Sequence, residues 1–125
     1  LEARLDKARY EALSAFADDV AFTCESVSRL VALEPVFCAF SKCATLKLGA
    51  PKCVVIPLTS GHYESAAEHV RAGLVDTPWH QFSISPHAAL IGIQIGPAAS
   101  THAWTKPVRK LALRVSQIAG SGRSV

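Results

Sequence analysis

Residues 14–22 read Ser14-Ala15-Phe16-Ala17-Asp18-Asp19-Val20-Ala21-Phe22, two adjacent carboxylates at the centre of an otherwise apolar run. The flanks are nearly symmetrical, with Ala15-Phe16-Ala17 before the pair and Val20-Ala21-Phe22 after it. That length and composition predict two short buried strands joined by a tight turn, where Asp is at home. Two anions side by side among apolar neighbours repel each other and lose hydration, which costs several kcal/mol unless a positive charge sits between them. A divalent metal meets that need, and hard oxygen ligands suit Mg²⁺, which shares its shell with phosphates. Asp-Asp pairs are also ordinary solvated turns, and the pair alone leaves both readings open.

A chain of 125 residues, half of them hydrophobic, holds one domain with a modest core. There is no Met, even at position 1, and nothing near Leu1 resembles a signal peptide, so the chain reads as a piece of a longer polypeptide. Its apolar stretches are broken by Pro, Gly or charge within about ten residues, too short to span a membrane. The cysteines (Cys24, Cys38, Cys43, Cys53) form no CxxC pair and the five histidines no i, i+4 pair, so no spacing indicates zinc. Reduced core thiols suit an intracellular protein of cytoplasm or nucleus. No nucleophile elbow surrounds any Ser or Cys. The net charge of +3 conceals an asymmetry: all ten acidic residues lie at or before Asp76, and five cations follow it with no acid to oppose them. Such a switch suits contact with a polyanion, as it also suits a solvated helix face.

Along the chain, residues 2–13 have the pattern of a short charged helix. Ser26 reads as an N-cap opening a helix that carries Val27, Leu30 and Val31, then Phe37, Phe40 and Ala44. Pro35 either kinks that helix or occupies the first turn of a second one starting near Glu34. Cys53–Ile56 predicts a short buried strand closed by Pro57, and Glu64–Leu74 two or three helical turns stopped by Gly73 or Pro78. Phe82–Ser85 alternates as a half-buried strand, Pro86-His87 makes a turn, and Leu90–Ile95 is the partner strand with Ile91, Ile93 and Ile95 on one face. Gly92 within it leaves room for another backbone or a nucleotide, or marks a plain bulge. Trp104, Val108, Leu111, Val115 and Ile118 then recur at spacings of four and three, one apolar stripe of a helix with Pro107 in its first turn and Gly120 just past its end. Lys106, Lys110 and Arg114 fall four apart on another face, a spacing suited to successive phosphates.

Taken in order, these features resemble the later half of a reverse transcriptase palm running into the thumb, in the manner of non-LTR (LINE-like) retrotransposons. Ala15-Phe16-Ala17-Asp18-Asp19 resembles that family's catalytic hairpin, an aromatic residue, any residue, then Asp-Asp. Leu46-Lys47-Leu48-Gly49-Ala50-Pro51-Lys52-Cys53 resembles its Gly-Leu-x-Leu-Asn-x-x-Lys-Cys motif, and Ala89-Leu90-Ile91-Gly92-Ile93 its primer-grip hairpin, usually Tyr-Leu-Gly-Ile. The likeness covers residues 14–119, with Asp-Asp the most specific part. Gly49 stands where the family prefers Asn, Pro35 interrupts the connecting helix, and Ala89 replaces the usual aromatic; none of these touches the Asp pair. Group II intron and retron enzymes share the hairpin but are less similar in the Lys-Cys and Ile-Gly-Ile wording.

The resemblance implies an α+β fold: a partial reverse transcriptase palm of antiparallel hairpins packed with helices over residues 1–97, and the start of a basic thumb helix over 98–125. It implies nucleotidyl transfer by an RNA-directed DNA polymerase using two Mg²⁺ ions about 3.5–4 Å apart. Asp18 and Asp19 would bind metal, and Lys52, with Lys47 as runner-up, would offset charge on the departing pyrophosphate. Leu90, Ile91 and Gly92 would seat the primer end. Lys106, Arg109, Lys110 and Arg114 would hold the duplex by its phosphates. The implied partners are an RNA template, a DNA primer and dNTPs, with no membrane. The family's further catalytic aspartate and its fingers lie upstream of this segment, so the chain alone is expected to be inactive. The alternative is a non-catalytic, basic nucleic-acid-binding remnant of a decayed element.

Overall fold

The computed structural model describes residues 12–16, 18–59 and 61–122, and their architecture is mixed α+β. Strands β1 (Ala12–Phe16) and β2 (Asp19–Thr23) form an antiparallel hairpin in the register Ala12↔Thr23 to Phe16↔Asp19, as the symmetrical flanks predict, but the expected burial is corrected: every residue of both strands is exposed or half-buried, because no further strand pairs with them among the described residues. Ala12 and Leu13 belong to β1, which corrects the end of the helix expected over 2–13; the rest of that segment lies outside the described residues. Ser26 caps α1 (Val27–Val31), its Oγ accepting from the Arg29 N–H. The choice at Pro35 falls to the second option: α1 ends, and α2 (Glu34–Ala44) begins anew with Pro in its first turn, where its missing N–H costs nothing. Thr45 closes α2 in the left-handed region at φ 57°.

A single 3₁₀ turn, Ala50–Lys52, leads into β3 (Val54–Val55). Helix α3 (Tyr63–Leu74) then crosses over to β4 (Ser83–Ile84), which pairs with β3 in parallel. The strand at Phe82–Ser85 therefore exists in shortened form, but its partner is β3 and not the segment Leu90–Ile95. That segment is itself a hairpin: β5 (Ala88–Leu90) pairs antiparallel with β6 (Ile93–Ile95). Ile91 and Gly92 form its turn at φ 50° and 77°. Both central residues have positive φ, as in the primed turns that match the twist of a two-residue hairpin. Gly92 is thus a turn residue, and Ile91 does not share a strand face with Ile93 and Ile95. Helices α4 (Ala99–His102) and α5 (Thr105–Ser121) complete the chain; α5 runs through Gly120 and closes at Gly122. No helix among the described residues is long and apolar enough to cross a membrane.

The core is small. Leu33, Val70, Leu74 and Trp79 are buried together, with Phe22, Val27, Leu30, Val31, Phe37, Val55, Phe82 and Ile84 packed around them. Trp79 is its pivot: it stacks on Phe82 at 5.1 Å and meets Phe37 edge-on at 5.7 Å. Phe22 thereby ties the inner end of the Asp hairpin to α1, α2 and α3. The outer end is uncovered, with Phe16 66% and Val20 50% exposed. Much apolar surface has no cover within these elements, the stripe from Trp104 to Ile118 included.

Candidate functional site

The hairpin β1–β2 positions the two carboxylates. Asp18 occupies the turn and Asp19 opens β2 opposite Phe16, so both residues lie at the tip of a two-stranded ribbon. Cross-strand partners share a face, which puts Leu13, Ala15, Val20 and Phe22 on one side and Phe16 with Asp19 on the other. Phe22 carries the first face into the core. Both aspartates are exposed. The expected desolvation of the pair by its apolar flanks is therefore absent, because the flanking side chains lie along the ribbon while the tip projects into water. Solvation alone accommodates two carboxylates there.

The tip can still take a cation. Mg²⁺ keeps several waters and is held by one or two carboxylates plus substrate phosphates, so an exposed Asp pair fits half a shell for one ion. It does not by itself make a closed cage. Among the described residues no group of three or more His, Cys, Asp or Glu side chains converges to hold a metal.

Lys52 ends the 3₁₀ turn before β3 and is exposed, as is Lys47. The Lys52 stem lies over Gly49, its Cδ 3.8 Å from the place where a Cβ on Gly49 would stand. A side chain at Gly49 would meet that stem in ordinary contact, so the departure from Asn is not forced by crowding. Cys53, next to Lys52, is half-buried, and burial pushes its thiol pKa up. Leu90 is half-buried at the end of β5, Ile91 is 54% exposed in the turn, and no atom stands within 4 Å of a Cβ built on Gly92.

These three places lie on three separate two-stranded sheets, β1–β2, β3–β4 and β5–β6. Among the described residues no hydrogen bond or ion pair joins Asp18, Asp19 and Lys52. Lys106, Arg109, Lys110 and Arg114 are all exposed on α5, a helix with no acidic residue. Its apolar stripe, Trp104, Val108, Leu111, Val115 and Ile118, is exposed as well. The sequence pattern identifies this helix and its two faces correctly. Two features escape it: Trp79, the core pivot, and the stack of His87 on His102, whose rings lie 3.9 Å apart. Those histidines are separated by fifteen positions, and no periodicity links them. Only the Thr77-Pro78 turn before Trp79 hints that the indole is bent back toward the helices. No family model matches the chain, and neither a curated protein nor a solved structure matches it.

Proposed function

We propose that the chain is the palm-to-thumb portion of an RNA-directed DNA polymerase of a non-LTR retrotransposon. The observation that carries this reading is the ribbon β1–β2, which holds Asp18 and Asp19 side by side at an open tip. Bound Mg²⁺ supplies such a site with activation of a primer 3′ hydroxyl and stabilisation of the departing pyrophosphate. The chain's own residues do the rest. Asp18 and Asp19 orient the ion, the Leu90–Ile91–Gly92 turn presents an uncrowded surface to a primer end, and α5 lays cations along the duplex backbone. The uncovered Phe16 and Val20 support the same reading, since a catalytic ribbon needs an adjoining strand to bury its second face and edge. Two carboxylates leave the metal geometry for in-line attack incomplete, so activity requires that strand to bring a third.

The test joins this chain to upstream polymerase sequence and measures primer extension on an RNA template with Mg²⁺ and dNTPs. Asp18→Asn abolishes extension and leaves duplex binding unchanged. The isolated chain gives no extension. Extension that survives Asp18→Asn, or synthesis by the isolated chain, refutes the assignment.

A second reading rests on α5 alone: its four exposed cations and lack of acid suit a non-catalytic, duplex-binding remnant. Replacing Lys106, Lys110 and Arg114 together by Ala then lowers the slope of log affinity against log salt by about 2.7, at 0.9 per phosphate contact. An unchanged slope excludes α5 from the interface under either reading.

A further inference from the structure

We propose that the apolar stripe of α5 is the contact through which two copies of this chain pair. Beyond the short α4 beside it, α5 has no comparable contact with another element among the described residues. Its stripe stands open: Trp104, Val108, Leu111, Val115 and Ile118 are between 57% and 72% exposed. Their spacing of four, three, four and three is the seam of a two-stranded helical pair, in which heptad positions a and d face the partner. Val108 and Val115 fall at a, and Trp104, Leu111 and Ile118 at d. A β-branched residue at a with Leu at d is the combination that favours two strands.

The positions beside the seam come to lie against the second helix, and they fit a copy of the same chain. One border carries Thr105, Ala112 and Ala119, the other Pro107, Arg114 and Ser121. Five of these six are uncharged, so two copies approach without opposing charge, and in a parallel pair the lone Arg114 meets a neutral border. The remaining cations argue against other covers. At about 100° per residue, Lys106, Arg109 and Lys110 stand about 120–160° round the helix from the middle of the stripe. An acidic peptide or an anionic bilayer laid on the stripe would have those charges turned away from it, whereas pairing leaves them in water. They stay free for a duplex backbone, so the inference is compatible with either function proposed above and rests on neither. The contact is isologous, the same patch on both chains. The five side chains offer on the order of 500 Å² of apolar surface, short of the about 800 Å² per partner of a standard interface. The pair is therefore reversible and fills only at high concentration.

Sedimentation velocity on the 125-residue chain tests this from about 1 µM to about 1 mM. The average mass is expected to rise from 13.3 kDa toward twice that value. Leu111→Glu removes a seam side chain from both copies and weakens pairing by about a hundredfold. Leu113→Glu is the control: Leu113 is 57% exposed but lies on the far face of α5, and its loss leaves pairing unchanged. Both substitutions put a good helix former at an exposed helical position, so the helix is retained. The proposal is overturned by association that survives Leu111→Glu, by equal loss in Leu113→Glu, or by a monomer at every concentration. In that last case, a blue shift of tryptophan emission on anionic phospholipid vesicles assigns the stripe to a lipid surface instead.

Discussion

Gly73→Ala sets helix propensity against packing, and the structure decides which prevails. Gly73 lies in the last turn of α3, where exchange for Ala should stabilise the helix by about 1 kcal/mol. A Cβ built there, however, stands 2.5 Å from Val27 Cγ1 and 3.2 Å from Val27 Cβ. Ordinary carbon contacts begin near about 3.5 Å, so roughly 1 Å must be found. Val27 cannot rotate away freely, because a β-branched side chain in a helix has one strongly favoured rotamer. The alternative is to back α1 away from α3, which opens the packing of Val27 and Leu30 against the core that holds Val70 and Leu74. Overpacking of this kind costs about 1–3 kcal/mol, so the net expectation is destabilisation by about 0–2 kcal/mol once propensity is subtracted. Urea unfolding followed by far-UV circular dichroism should show a lower midpoint with an unchanged slope. In the Val27→Ala background Gly73→Ala should cost less than it does beside Val27, because the blocking methyl is gone and only the Cβ at 3.2 Å has to give. A Gly73→Ala protein that gains the full helix increment, or a cycle with no coupling between the two sites, refutes the α1–α3 contact as described.

Two further outcomes follow from local geometry. Ile91 is a β-branched residue held at φ 50°, so Ile91→Gly should raise stability by about 1 kcal/mol in the same assay through relief of backbone strain; a fall would mean that the exposed side chain is packed. Burial raises the Cys53 pKa, so folding favours the neutral thiol. Stability is then level below the unfolded thiol's value of about 8.5 and declines as pH rises above it. Replacing Cys53 by Ala should flatten that alkaline limb, and an unaltered limb would assign it elsewhere.

What the sequence made legible was local chemistry. The ribbon at Asp18-Asp19 follows from matched apolar flanks around a turn-forming pair, the start of α1 from Ser26, the break before α2 from Pro35, and α5 from a regular stripe. Pairing across the chain was less accessible. Strands β3 and β4 are two residues each, too short for any periodicity to name a partner, and they meet because α3 carries the chain over between them. The turn at Ile91-Gly92 was hidden for a different reason: a β-branched residue at positive φ breaks the rule by which such turns are recognised, so the segment reads as one continuous strand. The end of α5 was misplaced by two residues because Gly120 has open space around it and nothing to stop the helix. At the candidate site, residue identity was legible and environment was not. Exposure of the Asp pair depends on whether anything covers the ribbon, and that is a property of tertiary packing.

That dependence governs the chemistry of the tip. In water, two adjacent carboxylates attract Mg²⁺ weakly, because the ion surrenders hydration reluctantly and each carboxylate is itself well hydrated. An element laid along the face that carries Phe16 and Asp19 would bury apolar surface and, in the same step, strip water from the acidic tip. The Coulomb attraction between the pair and a cation strengthens as the local dielectric falls, and so does the repulsion between the two anions. Cover without a cation is therefore opposed at the tip, cover with one is favoured, and metal binding becomes coupled to docking of the covering element. A ribbon with apolar sides and an acidic end is thus poised for assembly in a way that an ordinary solvated Asp-Asp turn, with polar flanks, is not. On the proposed reading the signature is reciprocal: whatever covers the ribbon would tighten Mg²⁺, Mg²⁺ would tighten the cover by the same factor, and Asp18→Asn would uncouple the two.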